Sequence, residues 1–115
     1  MSTQIYHNPR CRKSREALKL LEENNIDFEI IKYLDEVPSE LELKALLKML
    51  NLQPIELVRK NEKIWKESYK GKTLSDADVI KAMHEYPKLI ERPILVHNSK
   101  AVVGRPPEKI LDLIA

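Results

Sequence analysis

The chain holds one cysteine, Cys11, in the stretch "YHNPRCRKSRE", where Arg10, Arg12, Lys13, Ser14 and Arg15 surround it. A thiol is a nucleophile only as the thiolate, and neighbouring cations favour that form. A helix start does the same, because unpaired N–H groups and the helix dipole present positive charge there. Both features fall together here: "NP" is a turn and helix-start signal, and helical spacing begins at Arg12. A lone cysteine is otherwise a small buried hydrophobe. Its company and position favour a reactive thiolate, with a pKa in the range of roughly 3.5–7.5 that such sites reach. The same groups suit a tetrahedral oxyanion. A nucleophile in such a cradle points to attack on phosphorus, arsenic or a polarised sulfur. A phosphatase loop of the Cys-x5-Arg kind is disfavoured, since residue 17, where its arginine would fall, is alanine.

Further candidates lie along the chain. Arg92 and Arg105 each precede proline at the edge of an apolar strand or helix, a costly place for a charge without a task. Arg105 also opposes the dipole of the helix it introduces. Arg59, in "VRKNE", is as easily an exposed charge as a functional one. His7, four residues before the cysteine, is either a core or surface histidine or a partner that tunes the thiol. Ser14 either offers its hydroxyl to the thiolate or caps the first helical turn. His84 and His97 read as structural or exposed, and one cysteine with three scattered histidines makes no metal site. Trp65 and Tyr69, one helical turn apart, read as packing.

These residues need elements to hold them. "TQIYH" is a short strand, and Ser14, Ala17, Leu18 and Leu21 recur at helical spacing over about 12–23, ended by "ENN". "DFEIIKYL" is a second strand. Ser39 with Glu42 forms a capping box before the apolar face of Leu43, Leu46, Leu47 and Leu50. "QPIELVRKNE" reads as a short helix running into a loop, and "YKGK" as a break. Ser75 with Asp78 caps a helix carrying Val79, Ile80 and Met83 and ended by Pro87. "RPILVH" and "AVVG" form a hairpin across "HNSK", and "RPPEKILDLIA" starts a last helix with Ile110, Leu111 and Ile114 on one side. The order β-α-β, helices, β-β-α predicts an α/β fold, a thioredoxin-like mixed sheet flanked by helices. A helical insertion at about 39–86 separates its βαβ and ββα halves within a single domain spanning 1–115.

Composition narrows the classes. Hydrophobic residues make up 43% of the 115 and charged residues 33%, an ordinary globular balance with room for one core. A net charge of +2 gives no bulk electrostatic case for nucleic-acid binding. No apolar run is long enough to span a membrane, and the N-terminal stretch has no signal-peptide core. A single cysteine closes no internal disulfide, which fits a reducing compartment. A cytoplasmic protein, a monomer without nucleic-acid or membrane partners, is the expectation.

The runs "IYHNPRCRKSR", "LVRKNE", "ERPILV" and "GRPPEKILDLI" together resemble the glutaredoxin-linked arsenate reductases of bacteria, in order and spacing from Gln4 to Ile114. The resemblance implies that Cys11 attacks arsenate to give a covalent arseno-enzyme, and that Arg59, Arg92 and Arg105 hold the oxyanion. His7 and Ser14 would sit beside the thiolate. Glutathione as co-substrate and glutaredoxin would supply electrons, with no bound cofactor and no metal. It also implies that Pro93 is the cis-proline that thioredoxin-like folds set against the active-site cysteine, turning Arg92 toward Cys11. Two other readings stand beside this one. A regulator that binds a protein partner is one, although its usual Cys-x-x-Cys switch is missing, since Ser14 replaces the second cysteine. A general glutathione-dependent thiol reductase is the other, and it would not need the three arginines together.

Overall fold

The structure, a computed structural model, describes residues 3–114. They fall into two compact units, one of Met1–Glu36 with Arg92–Ala115 and one of Val37–Glu91.

The first unit carries a four-stranded sheet. β1 (Thr3–Tyr6) leads through α1 (Arg12–Glu23) to β2 (Glu29–Ile31); β3 (Ile94–His97) and β4 (Lys100–Val103) follow the second unit in sequence. The order across the sheet is β2-β1-β3-β4. β1 runs parallel to β2, as a strand–helix–strand crossover requires, and antiparallel to β3. Ile5 faces Leu95 in the register of β1 and β3. These two side chains, with Ala17 and Leu21 of α1 and Ile110, form a core cluster from which solvent is wholly excluded. The mixed sheet with flanking helices is the α/β architecture expected from the order of elements.

Turn chemistry sets the hairpin. Asn98 and Ser99 both adopt positive φ, at 49° and 67°, between the paired residues His97 and Lys100. Two successive left-handed residues match the strand twist of a two-residue hairpin. The chain ends in a 3₁₀ turn over Pro107–Ile110 that runs into the four-residue helix Leu111–Ile114. A single longer helix was expected there, and its last residue, Ala115, lies outside the described residues. The prolines fit a first turn but supply no N–H groups to it.

The second unit is helical. It contains α2 (Glu40–Leu50), α3 (Lys63–Ser68), α4 (Asp76–Glu85) and 3₁₀ turns over Pro54–Leu57 and Pro87–Leu89. Ser39 and Ser75 each close a capping box, with Glu42 and Asp78. Leu43, Leu46 and Leu47 of α2 and Val79, Ile80 and Met83 of α4 are buried. α3 lies between the short helix and loop read over 53–62 and the break at 69–72, a stretch to which the sequence pattern assigns no element. Its ring stack of Trp65 on Tyr69, with centroids 5.3 Å apart, supplies the packing that its weak local pattern lacks. The strand expected over 27–34 is also shorter than predicted. Only Glu29–Ile31 pair with β1, because the amides of Asp35 and Glu36 turn back onto the Lys32 carbonyl.

Candidate active site at the start of α1

Cys11 is the N-cap residue of α1, in extended backbone conformation, and its N–H donates to the Asn8 carbonyl at 3.0 Å. The other long helices show what this position normally holds. α2 and α4 begin with serine caps and carry Glu40 and Glu42, or Asp76 and Asp78, in the first turn. α1 has no acid in its first turn and no side-chain cap bond. Its positive end is left for the sulfur and for whatever anion approaches it.

Two arginines from the far end of the sequence reach the sulfur. Arg105 donates from Nη2 to Cys11 Sγ at 3.6 Å, and from Nε to the Arg92 carbonyl at 2.8 Å. Partial burial pushes the Cys11 thiol up. The Ser14 N–H, a hydrogen bond from Arg92 and the charges of Arg92 and Arg105 more than offset it, and the thiol lies below its ordinary value. The cations nearest in sequence do not carry this effect. Arg10, Arg12, Lys13 and Arg15 are exposed. Arg12 pairs with Glu16 and Arg15 donates to the Pro9 carbonyl. The lowered thiol therefore owes more to Arg92 and Arg105 than to the sequence-adjacent cations from which it was expected.

Arg92–Pro93 is cis, and so is Arg105–Pro106, which sequence reasoning did not single out. The Gly104 N–H donates to the Pro93 carbonyl at 2.8 Å. A Cβ on Gly104 would stand 2.9 Å from Pro93 Cγ and 3.1 Å from Ile110 Cγ2. Only glycine lets these two segments approach so closely. The signal was present, since the chain has just two glycines and this one precedes Arg105.

The side chains of His7 and Ser14 bond to each other and to the loop rather than to the sulfur. His7 is 5% exposed, and its Nδ1 is 2.7 Å from Ser14 Oγ. Ser14 Oγ also accepts the Asn8 N–H at 3.1 Å. The hydroxyl is thus neither a thiolate donor nor a cap for the first turn; what Ser14 turns to the sulfur is its N–H. Burial lowers the His7 pKa, and Lys32 and Arg15 lower it further against the Ser14 hydrogen bond, so a cationic His7 is disfavoured.

Arg59 belongs to the second unit. Nη1 donates to Glu91 at 2.9 Å and Nε to Glu62 at 3.4 Å, and its N–H donates to the Leu89 carbonyl. Glu91 and Glu62 keep it charged despite burial. Glu62 and Glu91 went unnoticed in the sequence, where neither spacing nor context distinguishes them. His84 and His97 have structural partners, the Pro38 carbonyl at 2.8 Å and Thr3 Oγ1 at 2.7 Å. Among the described residues no helix is long and apolar enough to cross a membrane.

A lowered thiol at a helix start, faced by two guanidinium groups that each precede a proline, on a mixed sheet with flanking helices, is the arrangement of a thioredoxin-like fold. Residues 6–113 match the ArsC family, and the chain belongs to that family. It is 40% identical to an arsenate reductase of Haemophilus influenzae, covering 99% of this chain and 100% of that one. It is 46% identical to the uncharacterized protein YfgD of Escherichia coli strain K12, over 96% and 94% of the two chains. The fold superposes on a solved arsenate reductase from Vibrio cholerae with a TM-score of 0.93 and 50% identity, over 97% of each chain.

Proposed function

We propose that the protein is an arsenate reductase that uses an external thiol. One observation carries the reading: Cys11, the chain's lone cysteine, caps α1 with Arg105 3.6 Å from its sulfur and Arg92 also lowering its pKa. Likeness to arsenate reductases over nearly the whole chain supports it.

Arsenate is charged at neutral pH, and a thiolate approaching it needs that charge neutralised. Guanidinium forks aimed at the developing oxyanion do this better than ammonium groups. In the first step the Cys11 thiolate forms an S–As bond as water leaves arsenic. The sulfur of glutathione then bonds to the Cys11 sulfur, and the S–As electron pair stays on arsenic, which departs as arsenite two electrons richer. Cys11 is left in a mixed disulfide with glutathione, which a glutaredoxin thiol reduces. With one cysteine the chain has no internal route to a disulfide, so both electrons come through outside sulfur. Arg92 and Arg105 serve as anion ligands. Arg59 keeps its expected part in anion binding on the family resemblance alone, and in its own unit it ties Glu62 to Glu91. A monomer working in the cytoplasm fits this chemistry.

The test is arsenate reduction followed with and without glutathione and glutaredoxin. Wild-type protein turns over only when the external thiol is present. Cys11→Ser keeps the fold, because a hydroxyl is nearly the same size, and abolishes reduction, because it scarcely ionises. Sustained turnover without added thiol, or by the serine variant, would overturn the mechanism.

A further inference from the structure

The loop that carries the reactive sulfur also forms the wall of a cleft in which the anion-binding arginines take no part. Its volume is about 340 Å³, within the range of roughly 300–1,000 Å³ usual for small-molecule sites. His7, Asn8, Pro9, Arg10, Lys32, Leu34 and Asp35 line it, all from the first unit. Neither Arg92 nor Arg105 is among them. The cleft therefore differs from the oxyanion position in both composition and place. It nevertheless adjoins the cysteine along the chain: Arg10 precedes Cys11, and the Asn8 carbonyl accepts the Cys11 N–H.

The lining has a definite chemistry. Arg10 and Lys32 are exposed cations, and Lys32 is close enough to His7 to depress its pKa. Asn8 is 6% exposed; its side-chain oxygen accepts the Arg10 N–H at 3.0 Å, which leaves its amide nitrogen as the donor it can offer. Asp35 is the one acidic group, and Pro9 and Leu34 add apolar surface. Two cations and an amide donor suit carboxylates, and the single carboxylate opposite them suits an ammonium. The floor is rigid, since His7 and Asn8 are both bonded to Ser14 and the His7 N–H donates to the Ile31 carbonyl at 2.9 Å.

We propose that this cleft binds the carboxylate and ammonium groups of a small peptide thiol, the co-substrate of the reaction, and so delivers its sulfur to Cys11. The inference rests on the reading of the protein as a thiol-dependent reductase and adds where the thiol is held. Its chemistry selects a thiol bearing an α-amino acid end over a simple alkyl thiol.

S-methylglutathione tests it, because it has the charges of glutathione and no free thiol to react. Its binding to the whole wild-type protein is followed by amide chemical shifts and calorimetry. Shifts at residues 8–10 and 32–35 are expected, with affinity falling tenfold or more in Arg10→Glu and in Lys32→Glu. Both residues are exposed, so the fold is retained. Asp35→Asn weakens S-methylglutathione but not S-methyl-3-mercaptopropionate, which has a carboxylate and no ammonium. Absence of binding, shifts confined to other residues, or equal affinity in the charge-reversal variants would overturn the proposal. The arsenate chemistry is judged separately. Equal rates with glutathione in wild type and both variants would remove the cleft and leave the reductase. Lost binding in the variants with no arsenate reduction by any thiol would do the reverse.

Discussion

At Cys11 the sulfur faces burial on one side and three favourable groups on the other, and the favourable groups win. Arg105→Ala removes one of them, together with its bond to the Arg92 carbonyl. The expected outcome is a thiol that titrates closer to its ordinary value, read from thiolate absorbance against pH, and turnover lower by roughly 100-fold or more, the usual cost of losing one donor to developing negative charge. An unchanged titration curve would contradict the assignment. His7 makes a different pH prediction. Its folded pKa lies below the ordinary 6.5, so its neutral form contributes stability that is present above 6.5 and is lost as pH falls through the lowered value. His7→Gln should flatten that acid-side loss in denaturant unfolding between pH 7 and 4.5. At this scale much was legible from sequence: the cysteine, the two arginines beside proline, and His7 and Ser14 as its neighbours. What was not legible was direction. Four flanking cations look decisive in a string of letters, but the turn at Arg10 and the first turns of α1 leave them exposed.

Elements explain how distant residues meet. α2 and α4 were readable because their caps and apolar faces are local, three or four residues apart. α3 was not, because a six-residue helix takes its stability from the Trp65–Tyr69 stack and the packing of its unit rather than from its own pattern. The approach of Gly104 to Pro93 is another fact that no local pattern encodes. Gly104→Ala would set a methyl 2.9 Å from the proline ring, and the ring has little freedom to yield. Overpacking of this kind costs about 1–3 kcal/mol. The melting temperature should drop by roughly 4 °C or more for each of those kcal/mol. The Cys11 titration should move with it, because Arg92 is bonded to Pro93. Thermal unfolding and thiol titration of the same variant check both, and an unshifted pair would show the contact to be tolerant.

For the whole molecule, β1 and α1 come from the first 23 residues, whereas β3, Arg92 and Arg105 come from the last 24. Sequence order predicted this sheet, because the crossover and the hairpin leave few ways to pair four strands. The intervening residues 37–91 form a unit with its own core, so the two halves of the first unit find each other across a long excursion. The thiol is therefore a property of the finished chain. During synthesis Cys11 leaves the ribosome early, while the arginine that contacts it lies 94 residues further on. Until then the sulfur lacks Arg92, Arg105 and the strand β3 that anchors β1. A fragment ending at residue 91 should titrate as an ordinary thiol and react slowly with alkylating reagents, a rate measured directly against the full chain. The late arrival of both guanidiniums sets the order of events: a chain still being made, or one cut short, carries a thiol that ionises less readily than that of the finished protein.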